Sequence, residues 1–153
     1  MEGLERIVCE HPFFAGLDGA FGRLVAGCAK NVVFNANQFL FHEGEPADYL
    51  YLIRHGRVAQ QIAAPGRSTM TFETAGEGEI IGLSWLIPPY RWLYDAKALE
   101  LVRAIALDAN CLRGKCEADH DLGYEMMKRF VPVMVERLHT TRLQLLDVYG
   151  APK

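Results

Sequence analysis

The spacing of apolar and polar positions changes twice along this chain. Through residues 1–30 apolar side chains recur at helical steps: Leu4, Ile7 and Val8, then Phe21, Leu24, Val25 and Cys28. Gly16, Gly19 and Gly22 divide this stretch into two short helices, and Pro12 cannot continue the first. From 31 to 107 the rhythm shortens. Runs rich in β-branched and aromatic residues (VVF, QFLF, YLYLI, VAQQI, MTFET, EII, then DAKALELVRAIAL) alternate with the turn signals NAN, EGEPAD, RHG, APGRS, AGEGE and IPP. Many short strands between turns predict a sandwich, jelly roll or small barrel. His55-Gly56 reads as a hairpin-like connection. In the strand after it Val58 and Gln60 point one way, Ala59 and Gln61 the other.

After Leu107 the pattern is helical again. Asp108 is placed to cap a short helix through Leu112 and Cys116. Asp119 or Asp121 can cap a longer one to about Tyr149, where Gly150 and Pro152 stop it. Roughly 30 residues at 1.5 Å each make a rod of about 45 Å. Pro132 lies inside it and predicts a kink near 128–132. Met127, Val131, Met134, Leu138, Thr141, Leu145 and Val148 follow steps of four and three, the seam of a coiled coil. Leu143, Leu146 and Tyr149 lie off that seam and are expected to face the β-domain. One globule of this size cannot cover both faces, so a homodimer through Val131, Met134, Leu138, Thr141, Leu145 and Val148 is expected. The fold class is α+β, mainly β: one domain over 1–153, with short N-terminal helices (1–30), a β-roll or jelly-roll core (31–107) and C-terminal helices (108–150), the last long and kinked.

Composition narrows the function. Half of the 153 residues are apolar, enough for one buried core. The net charge of −3 argues against a nucleic-acid footprint. No apolar run approaches the roughly 20 residues that span a bilayer, and the acidic N-terminus lacks a signal-peptide pattern, so the expected location is the cytoplasm. Cys9, Cys28, Cys111 and Cys116 form no CxxC pair and are expected to be reduced. Cys111, Cys116 and His120 lack zinc-site spacing.

The stretch GEIIGLSWLIPPYRW, residues 78–92, carries the candidate chemistry: a glycine turn, an apolar run, two prolines, then one arginine between Tyr90 and Trp92. In its context the chain resembles the cyclic nucleotide-binding domain of the Crp/Fnr regulators, nucleotide-dependent kinases and gated channels. HPFFAGL (11–17), FLFHEGEPADYLYLIRHGRV (39–58) and DAKALELVRAIALD (95–108) carry the likeness, and AGEGEIIGLSWL (75–86) stands where that family has its phosphate-binding cassette. The resemblance implies a Phe-Gly-Glu-like triplet whose backbone N–H groups receive phosphate at a helix start. It also implies a glutamate for the ribose hydroxyl and an arginine for the phosphate.

Here the triplet is Ile81-Gly82-Leu83, so the glutamate is missing, and Ser84 after it is the alternative acceptor at an altered angle. Counting forward from Gly82 makes Arg91 the phosphate arginine; counting back from AKALE puts Trp92 in its place. Strand side chains alternate, so only one of the two faces the pocket unless a bulge intervenes. By the spacing from ERL (136–138), Thr141 and Arg142, beside Thr140, are the counterparts of the family's base contacts. Thr141 is also the single polar residue of the seam.

Catalysis is not expected. A cupin metal site needs an HxH pair, and His42 and His55 stand alone. Ser84 lies in no Gly-x-Ser-x-Gly context. Haem through His42, His55, His120 or Cys111 has no spacing to select a ligand. Two readings stay open. One is a stand-alone regulatory sensor with an atypical or weakened site formed by Ile81, Gly82, Leu83, Ser84, Arg91, Trp92, Thr141 and Arg142, signalling through its last helix. It would take cAMP, cGMP or another small anion, with no resident cofactor or metal beyond that. The other is a ligand-independent dimeric scaffold whose pocket is filled by Trp85, Tyr90 and Trp92. Neither reading has a helix-turn-helix, direct nucleic-acid contact or membrane span, and the protein partner is unknown.

Overall fold

The structure, a computed structural model, describes residues 2–150. Helix α1 (Glu2–Glu10), a one-turn 3-10 helix (Pro12–Phe14) and α2 (Gly19–Ala26) precede eight strands. These are β1 (Ala29–Phe34), β2 (Phe39–Phe41), β3 (Tyr49–His55), β4 (Val58–Ile62), β5 (Met70–Ala75), β6 (Ile80–Ile81), β7 (Asp95–Ala98) and β8 (Val102–Asp108). A second 3-10 turn, Ser84–Leu86, follows β6; α3 (Ala109–Ala118) and α4 (His120–Tyr149) end the chain. The strands form two antiparallel sheets, β1-β8-β3-β6 and β2-β7-β4-β5. Their inner faces bury Leu50, Leu52, Val58, Ala96, Ala98 and Ile105, and α1, α3 and α4 close one end with Val8, Leu112, Leu122, Met126 and Phe130.

The expected caps are present. Asp108 accepts from the Cys111 N–H at 2.9 Å, and Asp119 accepts from the N–H groups of Asp121 and Leu122. Helix α4 continues through Pro132 to Tyr149, and Gly150 follows it. Pro152 lies outside the described residues.

Three expectations change. First, His55-Gly56 does not join a hairpin. β3 and β4 belong to different sheets, and the true hairpin is β4–β5. Gly56, at φ +91°, turns this corner against the Leu101 carbonyl, where a Cβ would lie 2.3 Å from oxygen. Second, Cys28 and Cys111 are joined as a disulfide with Cα atoms 5.7 Å apart, while Cys9 and Cys116 are free. The two are 83 residues apart in sequence; the pairing of Ala29 with Leu107 brings them together, and Asp108 N donates to Cys28 O at 2.9 Å. Third, Leu143, Leu146 and Tyr149 do not face the roll. They are exposed.

The face of α4 that packs on the roll is instead Met126, Phe130, Val133, Arg137 and Thr140, steps of three and four that make a stripe. Met127, Val131, Met134, Leu138, Leu145 and Val148 all stand exposed on another face.

Candidate functional site

The cassette begins where β6 ends. Ile80 and Ile81 are buried and pair with Leu52 and Tyr51 of β3. Gly82 follows at φ +104°. A Cβ there would sit 2.6 and 2.8 Å from two ring carbons of Trp92, so only glycine admits both the turn and the indole. Leu83 then opens the turn Ser84–Leu86 without a side-chain cap. Trp85 is fully buried and meets Phe130 of α4 edge to face, with ring centres 5.6 Å apart.

The return limb settles the register. Trp92 N donates to Glu45 O at 2.9 Å, Gly44 N donates to Trp92 O at 2.8 Å, and Arg91 bridges to Pro46. That ladder turns Trp92 inward, 3% exposed, and Arg91 outward. The indole stacks flat on Phe41, centres 3.6 Å apart and planes within 8°. The Arg91 guanidinium donates to Gly44 O at 2.8 Å, at the rim of the loop.

Tyr94, two residues on and therefore on the same face as Trp92, meets Phe41 and Phe72 by its edges. Burial pushes its hydroxyl up to about 12; the Arg137 charge and a backbone hydrogen bond at Gly82 partly offset this, while Glu73 adds to it. Three aromatic rings, Phe41, Trp92 and Tyr94, thus occupy the inside of the cassette.

Two helices hold this loop. Arg113 of α3 donates to the Trp85 carbonyl and lies over the Tyr90 ring, 4.1 Å from its centre. Arg137 of α4 donates to Ile80 O at 2.5 Å, and its Nε is 3.9 Å from Glu73 Oε2 of β5, both side chains about three-quarters buried. Arg137 also forms the wall between two cavities. One, of about 280 Å3, lies between α4 and the roll and is lined by Phe13, Glu73, Ile80, Val133 and Thr140. The other, of about 260 Å3, has mainly apolar walls from Leu83, Ile87, Pro88, Leu93 and Tyr94, with Ser84, Arg91 and Arg137 also lining it.

Of the residues singled out in the sequence, Ile81, Gly82, Leu83, Ser84 and Trp92 come together in the cassette; Leu83, Ser84 and Arg91 line the second cavity. Thr141 and Arg142 are exposed, and the Thr141 hydroxyl donates to Arg137 O of its own helix. Phe41, Tyr94, Arg113 and Arg137 were not singled out. Tyr94 was readable from its two-residue spacing to Trp92. Arg137 follows from the stripe Phe130, Val133, Arg137, Thr140, once one knows which face of α4 meets the roll. Among the described residues no cluster of His, Cys, Asp or Glu could hold a metal ion, and no helix is long and apolar enough to cross a membrane.

A family model described as the cyclic nucleotide-binding domain matches residues 31–119, more than half of the chain. The chain belongs to the cyclic nucleotide-binding domain family. A putative cyclic nucleotide-binding protein of Geobacter metallireducens superposes with a TM-score of 0.78 at 29% identity, covering 91% of this chain and all of that one. A cyclic nucleotide-binding domain from Methylobacillus flagellatus has the same fold, with a TM-score of 0.79 at 22% identity, covering 95% of this chain and 82% of its own. The CRP-like cAMP-activated global transcriptional regulator of Mycobacterium tuberculosis is 26% identical over 145 residues. The alignment takes in 95% of this chain but only 63% of that regulator's length.

Proposed function

We propose that this cyclic nucleotide-binding domain is a regulatory module whose cassette is plugged by its own aromatic rings, and whose output runs through α4. The observation that carries the reading is the register of the return limb: Trp92 points in and stacks on Phe41, while Arg91 is exposed at the rim of the cavity, its guanidinium engaged by Gly44 O. A phosphate entering there would meet an indole instead of a guanidinium, and a buried anion without a partner is strongly disfavoured. Leu83 adds the loss of a sugar acceptor, roughly 1–3 kcal/mol or about ten- to a hundredfold in affinity.

Calorimetry with cAMP and cGMP tests this. The expected result is no heat at tens of micromolar protein; a dissociation constant of micromolar or tighter for either nucleotide overturns it. The residues facing the cavities, Leu83, Ser84, Arg91, Tyr94 and Arg137, would then define what small ligand, if any, replaces the nucleotide.

The second reading, a dimeric scaffold that needs no ligand, draws on the exposed seam Val131, Met134, Leu138, Leu145 and Val148. The two readings share a dimer and differ in whether α4 responds to occupancy. We place the module in the cytoplasm, acting on a protein partner through α4, without catalytic chemistry of its own.

A further inference from the structure

The Cys28–Cys111 bond lies away from the cassette, and neither the family nor the proposed function accounts for it. We propose that this pair is a reversible thiol–disulfide exchange site for a small acidic thiol of the glutathione class, and that helix α3 passes its state to the cassette.

Access comes first. The two cysteines line an open cleft of about 310 Å3 with Lys30, Tyr49 and Asp108. Cys28 is 7% exposed, whereas Cys111, in the first turn of α3, is only partly buried, the more exposed residue of the pair and so the one assigned to the incoming thiolate. Accessible disulfides exchange; enclosed ones resist.

Charge comes second. Cys28, in the turn before β1, and Lys30, the second residue of β1, both line this cleft. The Lys30 ammonium is positioned, donating to the Tyr49 hydroxyl at 2.9 Å and lying 4.5 Å from that ring's centre. A cation so held favours a carboxylate-bearing thiol and steadies a thiolate leaving from Cys28. The opposing charge, Asp108, is engaged in capping the Cys111 N–H.

Coupling comes third. Apart from its chain ends and its buried face, helix α3 is tied to the rest of the molecule by Cys111 to Cys28, Ala109 N to Asp48 O at 2.8 Å, Lys115 Nζ to Leu24 O of α2 at 2.6 Å, and Arg113 to Trp85 O and the Tyr90 ring. Opening the disulfide removes the covalent cross-link. The same short helix then holds the cassette through Arg113 with its first turn held by hydrogen bonds and packing alone.

The exchange balances without a further oxidant. A glutathione thiolate attacks Cys111 Sγ, the S–S bond breaks, and Cys28 leaves as a thiolate. A second glutathione thiolate attacks the glutathione sulfur of the mixed disulfide, releasing the Cys111 thiolate and oxidised glutathione. Two thiols are oxidised as one protein disulfide is reduced, and the reverse reaction closes the bond.

The test uses the full chain in mixtures of reduced and oxidised glutathione, quenched by alkylation and weighed by mass spectrometry. Cys28 and Cys111 should become labelled together within the range of mixtures, with a single glutathione adduct on Cys111 at limiting thiol. Lys30→Gln should slow reduction by glutathione about fivefold while leaving reduction by uncharged 2-mercaptoethanol unchanged. Amide hydrogen exchange over residues 84–92 should be about tenfold faster in the reduced wild type than in the oxidised one. In Arg113→Gln the bond should still open and close, but exchange over 84–92 should no longer follow it.

A bond that stays closed in fully reduced glutathione, or never forms in the oxidised form, overturns the exchange site. Equal slowing of both thiols by Lys30→Gln, or no slowing of either, overturns the acidic-thiol assignment. Exchange over 84–92 that ignores the redox state of the wild type overturns the coupling.

Discussion

The two limbs of the cassette, 80–86 and 88–94, are both well packed, but against different parts of the molecule. The outgoing limb is held by helices: Arg137 at the Ile80 carbonyl, Phe130 against Trp85, Arg113 at the Trp85 carbonyl. The returning limb is held by the roll: Trp92 on Phe41, Arg91 on Gly44, and the Trp92 backbone laddered to Gly44 and Glu45. In our reading the limb that couples to the helices keeps its connections, while the limb that should neutralise a phosphate has been rebuilt as core. On that proposal, binding and transmission are separable because they rest on different limbs of one loop.

The largest expected effect is on the rebuilt limb. Trp92→Ala should cost about 4 kcal/mol in chemical denaturation, as a large aromatic is removed from a fully packed site. If the limb is a plug and not a ligand contact, that loss appears without any ligand present. Gly82→Ala should cost about 3 kcal/mol, since it places a methyl against the indole at a positive φ. In the double variant the clash is gone, so the two costs should add to less than their sum; strict additivity would mean that Trp92 and Gly82 do not constrain each other.

The coupling limb predicts smaller changes. Leu138→Glu, on the exposed seam of α4, should weaken self-association about a hundredfold, near 2.8 kcal/mol, in sedimentation, with the cassette unchanged. A wild type that is monomeric at tens of micromolar removes the dimer. Arg137→Met should cost about 1 kcal/mol and loosen exchange at Ile80, whose carbonyl it holds directly from α4.

The smallest effect is a pH dependence at the N-terminal edge of that limb. His11 is buried; its Nε2 lies 2.9 Å from Ile53 O and its Nδ1 accepts from Phe13 N, so the neutral ring satisfies both. Burial holds its pKa below the usual 6.5, and the neighbouring Arg54 charge adds to this. The unfolded chain therefore binds the extra proton first: stability is complete above about 6.5 and falls as the pH drops below it. His11→Gln should flatten that part of a denaturation-midpoint profile. An unchanged slope would assign it to other groups.

Much of the architecture was legible because it depends on neighbours in sequence. Asp108 and Asp119 cap helices through N–H groups two or three residues away, and the strand runs are marked by their own turns. What failed to read was long-range. Nothing near Cys28 announces Cys111. The corner at Gly56 looks like a hairpin until Leu101 is seen against it. The two apolar stripes of α4 are equally regular, and only the position of the roll distinguishes Phe130 and Arg137 from Val131 and Leu138.

By itself the sequence determined the order of elements, the family, and the fact that Arg91 and Trp92 lie on opposite faces, because alternation with period two is a local property of extended chain. Which of them faces inward was decided by the tertiary structure. Phe41, some fifty residues earlier, offers a flat apolar surface to an indole, and Gly82 leaves room for its edge. Burying that surface is favourable, whereas an inward guanidinium would have needed an anion to meet it.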